Sequence, residues 1–225
     1  MRTYILFILL FFSLGTRAQQ NKGTNLLIIN EMTAYQSSVK SDRNKELIEI
    51  QKLIPNIKLD IRYASKNNFA KKAVYKQARA FARLPVVEAL RNVQNELNKS
   101  GIGLKIFDGY RPYSVTVTFY EIASDKSFVA NPKDGSRHNR GCAIDLTLIN
   151  LKTGKELEMP TPYDSFAPEA AADFNNLSEQ VIRNRELLIS TMEKNGFKVL
   201  SNEWWHFDFN GWKNFELMDI PFEKL

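Results

Sequence analysis

The chain has 225 residues, of which 44% are hydrophobic and 25% are charged, and these values are ordinary for a globular protein. They exclude collagen-like and disordered chains and argue against a multi-pass membrane protein. The 31 basic and 25 acidic residues give a formal charge of +6. Because the basic residues are dispersed among acidic and apolar ones, rather than clustered in a stripe, we expect no nucleic-acid partner.

The N-terminal segment 1–18 has the three parts of a secretory signal peptide. Arg2 supplies the positive charge, residues 4–14 form the apolar stretch, and residues 16–18 end it. The apolar stretch is shorter than the roughly 20 residues that a membrane-spanning helix needs. We therefore expect cleavage near Ala18, export to the periplasm or the outside, and no membrane span in the mature chain.

The remainder of the chain divides into a polar lead-in and one domain. Residues 19–45 are rich in Asn, Ser and Lys and predict an irregular, partly ordered N-terminal arm. The folded domain covers residues 46–225, in which we find no repeat and no linker. The single cysteine, Cys142, has no partner for an intramolecular disulfide, so stability must come from burial.

The hydrophobic pattern of the domain predicts a mixture of helices and short strands. Residues 85–98 form the clearest helix, because apolar residues recur at helical spacing between Pro85 and Gly101. We expect further helices at 114–123 and 178–194, strands at 104–107 and 142–149, short extended pieces at 47–63, and a strand or hairpin at 197–209. The aromatic tail at 212–222 should pack back onto them. This order indicates a single α+β domain with a small antiparallel sheet and helices packed around it.

The two histidines are the most informative residues of the sequence. His138 and His206 lie near acidic residues in polar segments, and neither falls in an apolar helical stripe. A metal site explains both, with Asp145 as the third ligand. Zinc binds nitrogen and oxygen at about 2.0 to 2.2 Å in a tetrahedron, so the chain must reverse between His138 and Asp145. Gly141 permits that reversal because glycine tolerates a positive φ.

Three protein ligands would leave a fourth position for water, as in catalytic rather than structural zinc sites. Glu203, three residues before His206, is the candidate general base for that water. In a regular strand these two side chains would face opposite ways, so we expect a bend at Trp204. Arg111 follows a turn-forming cluster and is the candidate cation for the negative charge that develops on the substrate oxygen.

These residues carry a resemblance to a known family. The motif reads Ser136-x-His138-x-x-Gly141-x-Ala143-x-Asp145 with Glu203-x-Trp205-His206. This pattern resembles the zinc motif of the D-alanyl-D-alanine peptidases, whose fold also occurs in the hedgehog signalling domain, and it is most similar to the D-Ala-D-Ala dipeptidases of the vancomycin-resistance type. Supporting segments are Asp60-Ile61-Arg62-Tyr63-Ala64, Asp108-Gly109-Tyr110-Arg111-Pro112 and Met159-Pro160-Thr161-Pro162-Tyr163-Asp164.

The resemblance implies one zinc ion per chain, bound by the two histidines and Asp145. It also implies that Glu203 is the base and that Arg111 stabilises the tetrahedral intermediate. It adds two contacts that residue spacing does not supply. Asp164 would bind the free amino terminus of a dipeptide substrate, and Ser136 would help to hold its carboxylate end.

Two other mechanisms would use residues of the same segment. A nucleophilic pair would combine Cys142 with His138, but Cys142 lies on the aliphatic face of its strand, where a reactive thiolate is disfavoured. A serine triad would combine Ser136 with His138 and Asp145, but their spacing offers no strand-to-helix nucleophile elbow. Both hypotheses are weaker than the metal site.

We therefore predict an exported zinc metallopeptidase that hydrolyses D-Ala-D-Ala, or a related D-amino-acid dipeptide, by direct attack of water. Two alternatives stay open. The first is a peptidoglycan D,D- or L,D-carboxypeptidase or endopeptidase, which needs an open groove and no anchor for a free amine. The second is a zinc-stabilised binding module without turnover.

Overall fold

The computed structural model describes residues 26–225, so the expected signal peptide lies outside the described residues. The helices are α1 (Met32–Ser41), α2 (Ile50–Leu53), α3 (Leu84–Asn98), α4 (Tyr113–Ile122) and α5 (Glu179–Lys194). The strands are β1 (Ile28–Ile29), β2 (Leu47–Glu49), β3 (Lys58–Leu59), β4 (Phe81–Arg83), β5 (Ile102–Asp108), β6 (Ala143–Asn150), β7 (Phe197–Leu200), β8 (Glu203–Phe209) and β9 (Leu217–Met218). Within the described range, no helix has the length and apolarity needed to cross a membrane.

A five-stranded sheet with the order β3-β5-β6-β8-β7 forms the centre of the fold. Its pairs are antiparallel except at one edge, where β3 runs parallel to β5. The alternation in β6 places Ile144, Leu146 and Leu148 on one face, as predicted. The opposite face, which carries Asp145, is also buried, so a charged side chain lies inside the protein and needs partners there.

Helices α3, α4 and α5 follow the three predicted helices to within one residue at each end, whereas α2 lies in the stretch 47–63 that was expected to be extended. In α3 the apolar residues at helical spacing are all buried, and a proline stands in the first turn. Helix α5 begins after Ser178, whose Oγ accepts a hydrogen bond from the Val181 N–H at 3.3 Å. These two helices pack against each other and against the sheet, α3 on β5 and α5 mainly on β7. The expected α+β domain is thereby confirmed.

The segment before the domain is more regular than the sequence predicts. Its described part contains β1, which pairs in parallel with β9, and helix α1. Tyr35 of α1 is buried, and its hydroxyl accepts a hydrogen bond from the Leu47 N–H at 2.7 Å. Because Tyr35 is the one buried residue of α1, the helix has almost no apolar periodicity, and its sequence reads as an irregular polar stretch.

The C-terminal tail packs back onto the domain, as expected. The ring of Phe222 lies 4.8 Å from that of Tyr75 and 5.3 Å from that of Phe81. Arg83, which is fully buried in β4, joins this tail to the turn before β6. It donates to the carbonyl oxygen of Arg140 at 2.8 Å and to that of Glu216 at 3.2 Å. The chain reversal that the site requires is therefore fixed by a buried cation.

Gly141 ends that reversal with a φ of +68°, and we expect Gly141→Ala to destabilise the fold. A Cβ at this position would lie 2.7 Å from Cδ2 of Leu47, which is closer than real contacts allow. The left-handed backbone of an alanine costs about 1 to 2 kcal/mol, and crowding of its Cβ against Leu47 costs about 1 to 3 kcal/mol more. Both terms should lower the free energy of unfolding. Chemical denaturation measures the change.

Gly154→Ala is the matched control, because Gly154 has a φ of +70° but no atom within 4 Å of an added Cβ. It should show the left-handed strain alone, about 1 to 2 kcal/mol. Equal losses in the two variants would contradict the expected crowding against Leu47.

Candidate metal centre and substrate cavity

Three buried side chains converge from separate elements of the fold. Asp145 of β6 lies directly opposite His206 of β8 in the antiparallel register, so their side chains project from the same face. His138 comes from the 3-10 turn that precedes β6. The potential ligand atoms of the three residues all lie within 4.8 Å of one another. The structure therefore brings together the residues that the sequence selects as metal ligands.

The spacing of these atoms fits a metal ion of the size of zinc. His138 Nε2 lies 3.2 Å from His206 Nδ1 and 3.4 Å from Asp145 Oδ1. His206 Nδ1 lies 3.0 Å from the same carboxylate oxygen. Tetrahedral ligands at zinc bond lengths are about 3.3 Å apart. The three atoms thus have the separations of one face of a zinc tetrahedron.

Outer hydrogen bonds determine which nitrogen of each imidazole faces inward. His138 Nδ1 lies 2.7 Å from the carbonyl oxygen of Gly109, to which it must donate. His206 Nε2 lies 3.0 Å from Oδ1 of Asp208 and has a carboxylate acceptor. In neutral rings these bonds leave lone pairs on the two inner nitrogens, beside an oxygen of Asp145. Three electron-rich atoms at this spacing repel one another unless a cation lies between them.

The charges around this point also favour a cation. Burial opposes protonation of His206, but hydrogen bonds to Asp145 and Asp208 outweigh it and raise the pKa of the ring to about 10. Burial likewise opposes ionisation of Asp145, but His138 and His206 hold the pKa of its carboxyl well below the usual range. The site therefore stabilises positive charge, whether a proton or a metal ion supplies it.

Arg111 is held beside this centre by a buried carboxylate. Its Nε and Nη2 donate to Oδ2 of Asp108 at 3.0 and 2.8 Å. The guanidinium carbon lies 5.2 Å from the ring centre of Tyr63 and 4.9 Å from that of Phe119. Arg111 Nη2 is 4.0 Å from Oδ2 of Asp145. The cation is thus fixed in direction and lies close to the candidate metal centre.

Glu203 reaches the same place because β8 is irregular. Glu203 pairs with Leu200 of β7, and Phe207 pairs with the adjacent residue Val199. The three residues of β8 between Glu203 and Phe207 therefore have no pairing partner on β7. This bulge supplies the bend that was expected at Trp204. Glu203 Oε2 lies 3.9 Å from Nδ1 of His206, the nitrogen that faces the candidate metal position. Burial raises the pKa of Glu203, which suits a group that accepts and returns a proton.

A cavity of about 280 Å³ opens in front of these groups. All seven candidate site residues line it: Arg111, Ser136, His138, Asp145, Asp164, Glu203 and His206. Asp164 accepts a hydrogen bond from the Tyr63 hydroxyl at 2.9 Å and lies 3.5 Å from the Phe69 N–H. Burial, with the nearby charge of Asp145, raises the pKa of Asp164 to about 7. Asp164 is therefore an acidic group of the cavity that does not belong to the candidate metal ligands.

Aromatic side chains close the cavity beside Asp164. Phe128 and Phe166 belong to different loops, and their rings stack at 4.4 Å and 17°. Phe166 is also 5.9 Å from Phe69, whose backbone faces the Asp164 carboxylate. These rings therefore form an aromatic part of the cavity wall near Asp164.

Sequence reasoning missed three polar residues that support the site. Asp108 orients Arg111, and Asp208 orients His206. The Tyr163 hydroxyl donates to Oδ2 of Asp145 at 2.9 Å. Asp108 and Tyr163 stand in motif segments and Asp208 follows two residues after His206, but no spacing rule assigns these contacts because they form only in the folded chain.

The two nucleophile hypotheses find no support in the geometry. Cys142 is fully buried and does not line the cavity, and its burial raises the pKa of the thiol to about 12. A thiolate is therefore disfavoured at this position. Ser136 Oγ accepts a hydrogen bond from the backbone N–H of His138 at 3.2 Å, and no bond joins it to an imidazole.

The comparison with known proteins agrees with this arrangement. The model of peptidase family M15, described as D-Ala-D-Ala dipeptidase, matches residues 43–217. The chain belongs to this family. M15 membership makes the protein a peptidase and hence a hydrolase, as the sequence predicts.

Individual relatives match over most of the domain. The D-alanyl-D-alanine dipeptidase of Escherichia coli is 33% identical over 163 residues, which cover 72% of this chain and 84% of that protein. The enzyme of the same name from Enterococcus faecium is 30% identical over 181 residues, with 70% and 88% covered. A solved structure, VanYB in complex with D-alanine-D-alanine, is 13% identical in sequence and has a TM-score of 0.34. The match covers 60% of this chain and 75% of the VanYB chain. The family assignment rests on the sequence matches.

We expect Tyr163→Phe to weaken zinc binding without unfolding the protein. The variant keeps the buried ring but removes the hydroxyl that orients Asp145. Loss of such an outer contact typically weakens metal affinity by about tenfold to a hundredfold. Competition with a chelator of known affinity measures the change.

Tyr75→Phe is the control for this prediction. The Tyr75 hydroxyl also donates to a buried carboxylate, that of Asp108, at 2.9 Å, but Asp108 is not a candidate ligand. Its zinc affinity should equal that of the unsubstituted protein. If both variants lose affinity equally, the Tyr163 contact has no specific effect on the metal centre.

Proposed function

We propose that this M15 peptidase is a zinc-dependent dipeptidase that hydrolyses D-Ala-D-Ala or a related D-amino-acid dipeptide. The observation that carries the proposal is the convergence of His138, Asp145 and His206, whose inner atoms lie 3.0 to 3.4 Å apart beside Glu203. The names of the curated relatives support the dipeptide as substrate. Zinc is the metal that this set of two imidazoles and one carboxylate suits best.

The chain's own residues account for the proton transfers and the charge. Zinc bound at the three ligands would act as a Lewis acid on the amide carbonyl and would lower the pKa of a water molecule. Glu203 takes the proton of the attacking water and returns it to the leaving amine. Arg111, held in place by Asp108, donates to the carbonyl oxygen as negative charge develops there. No covalent bond between substrate and enzyme is needed.

The surroundings of Asp164 support recognition of a free amine. The Asp164 carboxylate can accept hydrogen bonds from an ammonium group, and the aromatic pair Phe128 and Phe166 narrows the space next to it. A longer peptide chain would have to extend past these rings. Ser136, which also lines the cavity, contributes a hydroxyl for the carboxylate. This arrangement favours a dipeptide over the long stem peptide that a carboxypeptidase or endopeptidase would bind.

A zinc-stabilised binding module is the less supported alternative. Such a module needs the three ligands but has no use for a partly buried glutamate and an oriented arginine on the same cavity. Burial of Arg111 and partial burial of Glu203 carry a desolvation penalty that a structural zinc site would not require. Their presence therefore favours catalysis.

Glu203→Gln should abolish hydrolysis while zinc stays bound. The substitution keeps the shape of the side chain but removes the proton acceptor, which typically lowers the rate by about a hundredfold to ten-thousandfold. We would measure kcat/KM for D-Ala-D-Ala and the zinc content of the same sample. Glu193→Gln, on an exposed position of α5, is the control and should keep full activity. Loss of zinc together with loss of fold would assign Glu203 a structural role instead.

Blocking the substrate amine should reduce hydrolysis if Asp164 binds it. We expect kcat/KM for N-acetyl-D-Ala-D-Ala to be far below that for D-Ala-D-Ala. Asp164→Asn should raise the KM for D-Ala-D-Ala by about tenfold to a hundredfold, because a hydrogen bond to a charged group is lost. Since the pKa of Asp164 is raised to about 7, protonation should lower kcat/KM as the pH falls through that value.

Asp134→Asn changes an exposed carboxylate outside the cavity and serves as the control. Its kinetics should match those of the unsubstituted enzyme. Equal turnover of the free and the acetylated dipeptide would remove the dipeptidase assignment and favour the carboxypeptidase or endopeptidase.

We also propose that residues 1–18 are a cleaved leader, that residues 19–45 form an N-terminal arm, and that residues 46–225 form the peptidase domain. The family match, which starts at residue 43, supports that domain boundary. Export would separate the enzyme from the cytoplasmic dipeptide pool, which favours nutrient scavenging or cell-wall recycling over antibiotic resistance. N-terminal sequencing after cell fractionation should find a processed form outside the cytoplasm, beginning near Gln19. An unprocessed cytosolic protein would contradict the leader.

A further inference from the structure

The cavity has a basic residue on its rim that the proposed chemistry does not use. Arg137 lies between Ser136 and His138 in the sequence and lines the cavity. Its side chain is 44% exposed, whereas that of Arg111, the other arginine of the cavity wall, is 10% exposed and is bound to Asp108. Arg137 is therefore the more accessible of the two guanidinium groups.

The contacts of Arg137 hold its side chain but leave much of its hydrogen-bonding capacity unused. Its Nε lies 3.5 Å from Oδ2 of Asp208, and its guanidinium carbon lies 4.9 Å from the ring centre of Trp212. Across residues 26–225, neither Nη group of Arg137 has a hydrogen-bond partner. Because the Nε edge of the guanidinium contacts Asp208 and its face packs on Trp212, the group is held in place while its Nη donors can bind a carboxylate.

Ser136, the preceding residue, has a complementary donor. Its Oγ accepts the hydrogen bond from the His138 N–H at 3.2 Å, so its own hydroxyl proton is available. Ser136 and Arg137 both line the cavity, and together they offer a neutral and a charged donor. Carboxylates are bound most strongly by such combinations when one donor is a guanidinium.

The charges of the cavity leave few other places for a carboxylate. Three acidic residues line the cavity wall and would repel the substrate carboxylate, namely Asp145, Asp164 and Glu203. Arg111 is already neutralised by Asp108 and lies beside the metal centre, where the amide carbonyl would be placed. An unblocked dipeptide carries one ammonium group and one carboxylate. Asp164 can bind only the ammonium group, so the carboxylate needs another partner.

We propose that Arg137, together with Ser136, binds the C-terminal carboxylate of the substrate and makes the enzyme specific for an unblocked carboxyl end. This inference rests on the proposed dipeptidase function and adds a specificity-determining residue to it. It also implies that peptides with an amidated or extended C-terminus are poor substrates.

The test compares D-Ala-D-Ala with its C-terminal amide as substrates of the zinc-loaded enzyme. The unsubstituted enzyme should have a much lower KM for the free acid. Arg137→Met keeps an apolar stem against Trp212 but removes the guanidinium. It should raise the KM for the acid by about tenfold to a hundredfold, leave kcat nearly unchanged and leave the KM for the amide as it was. Arg137→Lys should restore part of the preference.

Lys213→Met is the matched control, because the Lys213 ammonium lies 5.6 Å from the ring centre of the same Trp212 but outside the cavity wall. It removes an equal charge from the same region and should change neither KM. Zinc content should be the same in every variant. A loss of zinc from Arg137→Met would overturn the inference, since it would show that Arg137 acts through Asp208 and His206 on the metal centre.

The remaining outcomes separate this inference from the proposed function. If the unsubstituted enzyme cleaves neither substrate, the dipeptidase function fails and the role of Arg137 fails with it. If the enzyme cleaves both substrates equally well, or if Arg137→Met raises both KM values equally, only the role of Arg137 is overturned.

Discussion

The whole arrangement depends on holding two imidazole nitrogens and a carboxylate oxygen within 3.0 to 3.4 Å of one another in a buried place. These atoms repel one another when their lone pairs face inward, so the surrounding structure must keep them there. The pairing of β6 with β8 sets the position of Asp145 against His206. The buried Arg83 fixes the turn that carries His138. Much of the fold can be understood as the frame for this one cluster.

Local sequence patterns were sufficient to predict most of the frame. The helical spacing in α3 and the alternation in β6 are properties of short segments, so they are visible before folding. The motif around His138 and Asp145 is equally local, because Gly141 marks the reversal between them. Even the irregularity of β8 could be expected, since Glu203 and His206 had to face the same cavity. The metal ligands, the base and the arginine could therefore be selected from local patterns, whereas Asp164 and Ser136 were selected only through the resemblance to the D-Ala-D-Ala peptidases.

The parts that the sequence did not reveal all depend on contacts between remote segments. Tyr163 meets Asp145, and Asp108 meets Tyr75, only after the chain has folded. Helix α1 buries little more than Tyr35, so its sequence is mostly polar. It therefore lacks the apolar periodicity from which a helix can be predicted. The parallel edge pair β3 with β5 is too short to carry a pattern of its own. In each case tertiary context, not local preference, determines the outcome.

The pairing of β1 with β9 joins the two ends of the described chain. β9 follows every other described strand in the chain, so β1 can find its partner only after the rest of the domain has been synthesised. The pair therefore ties the first described strand to the last across the whole domain, and it contributes no residue to the candidate metal centre.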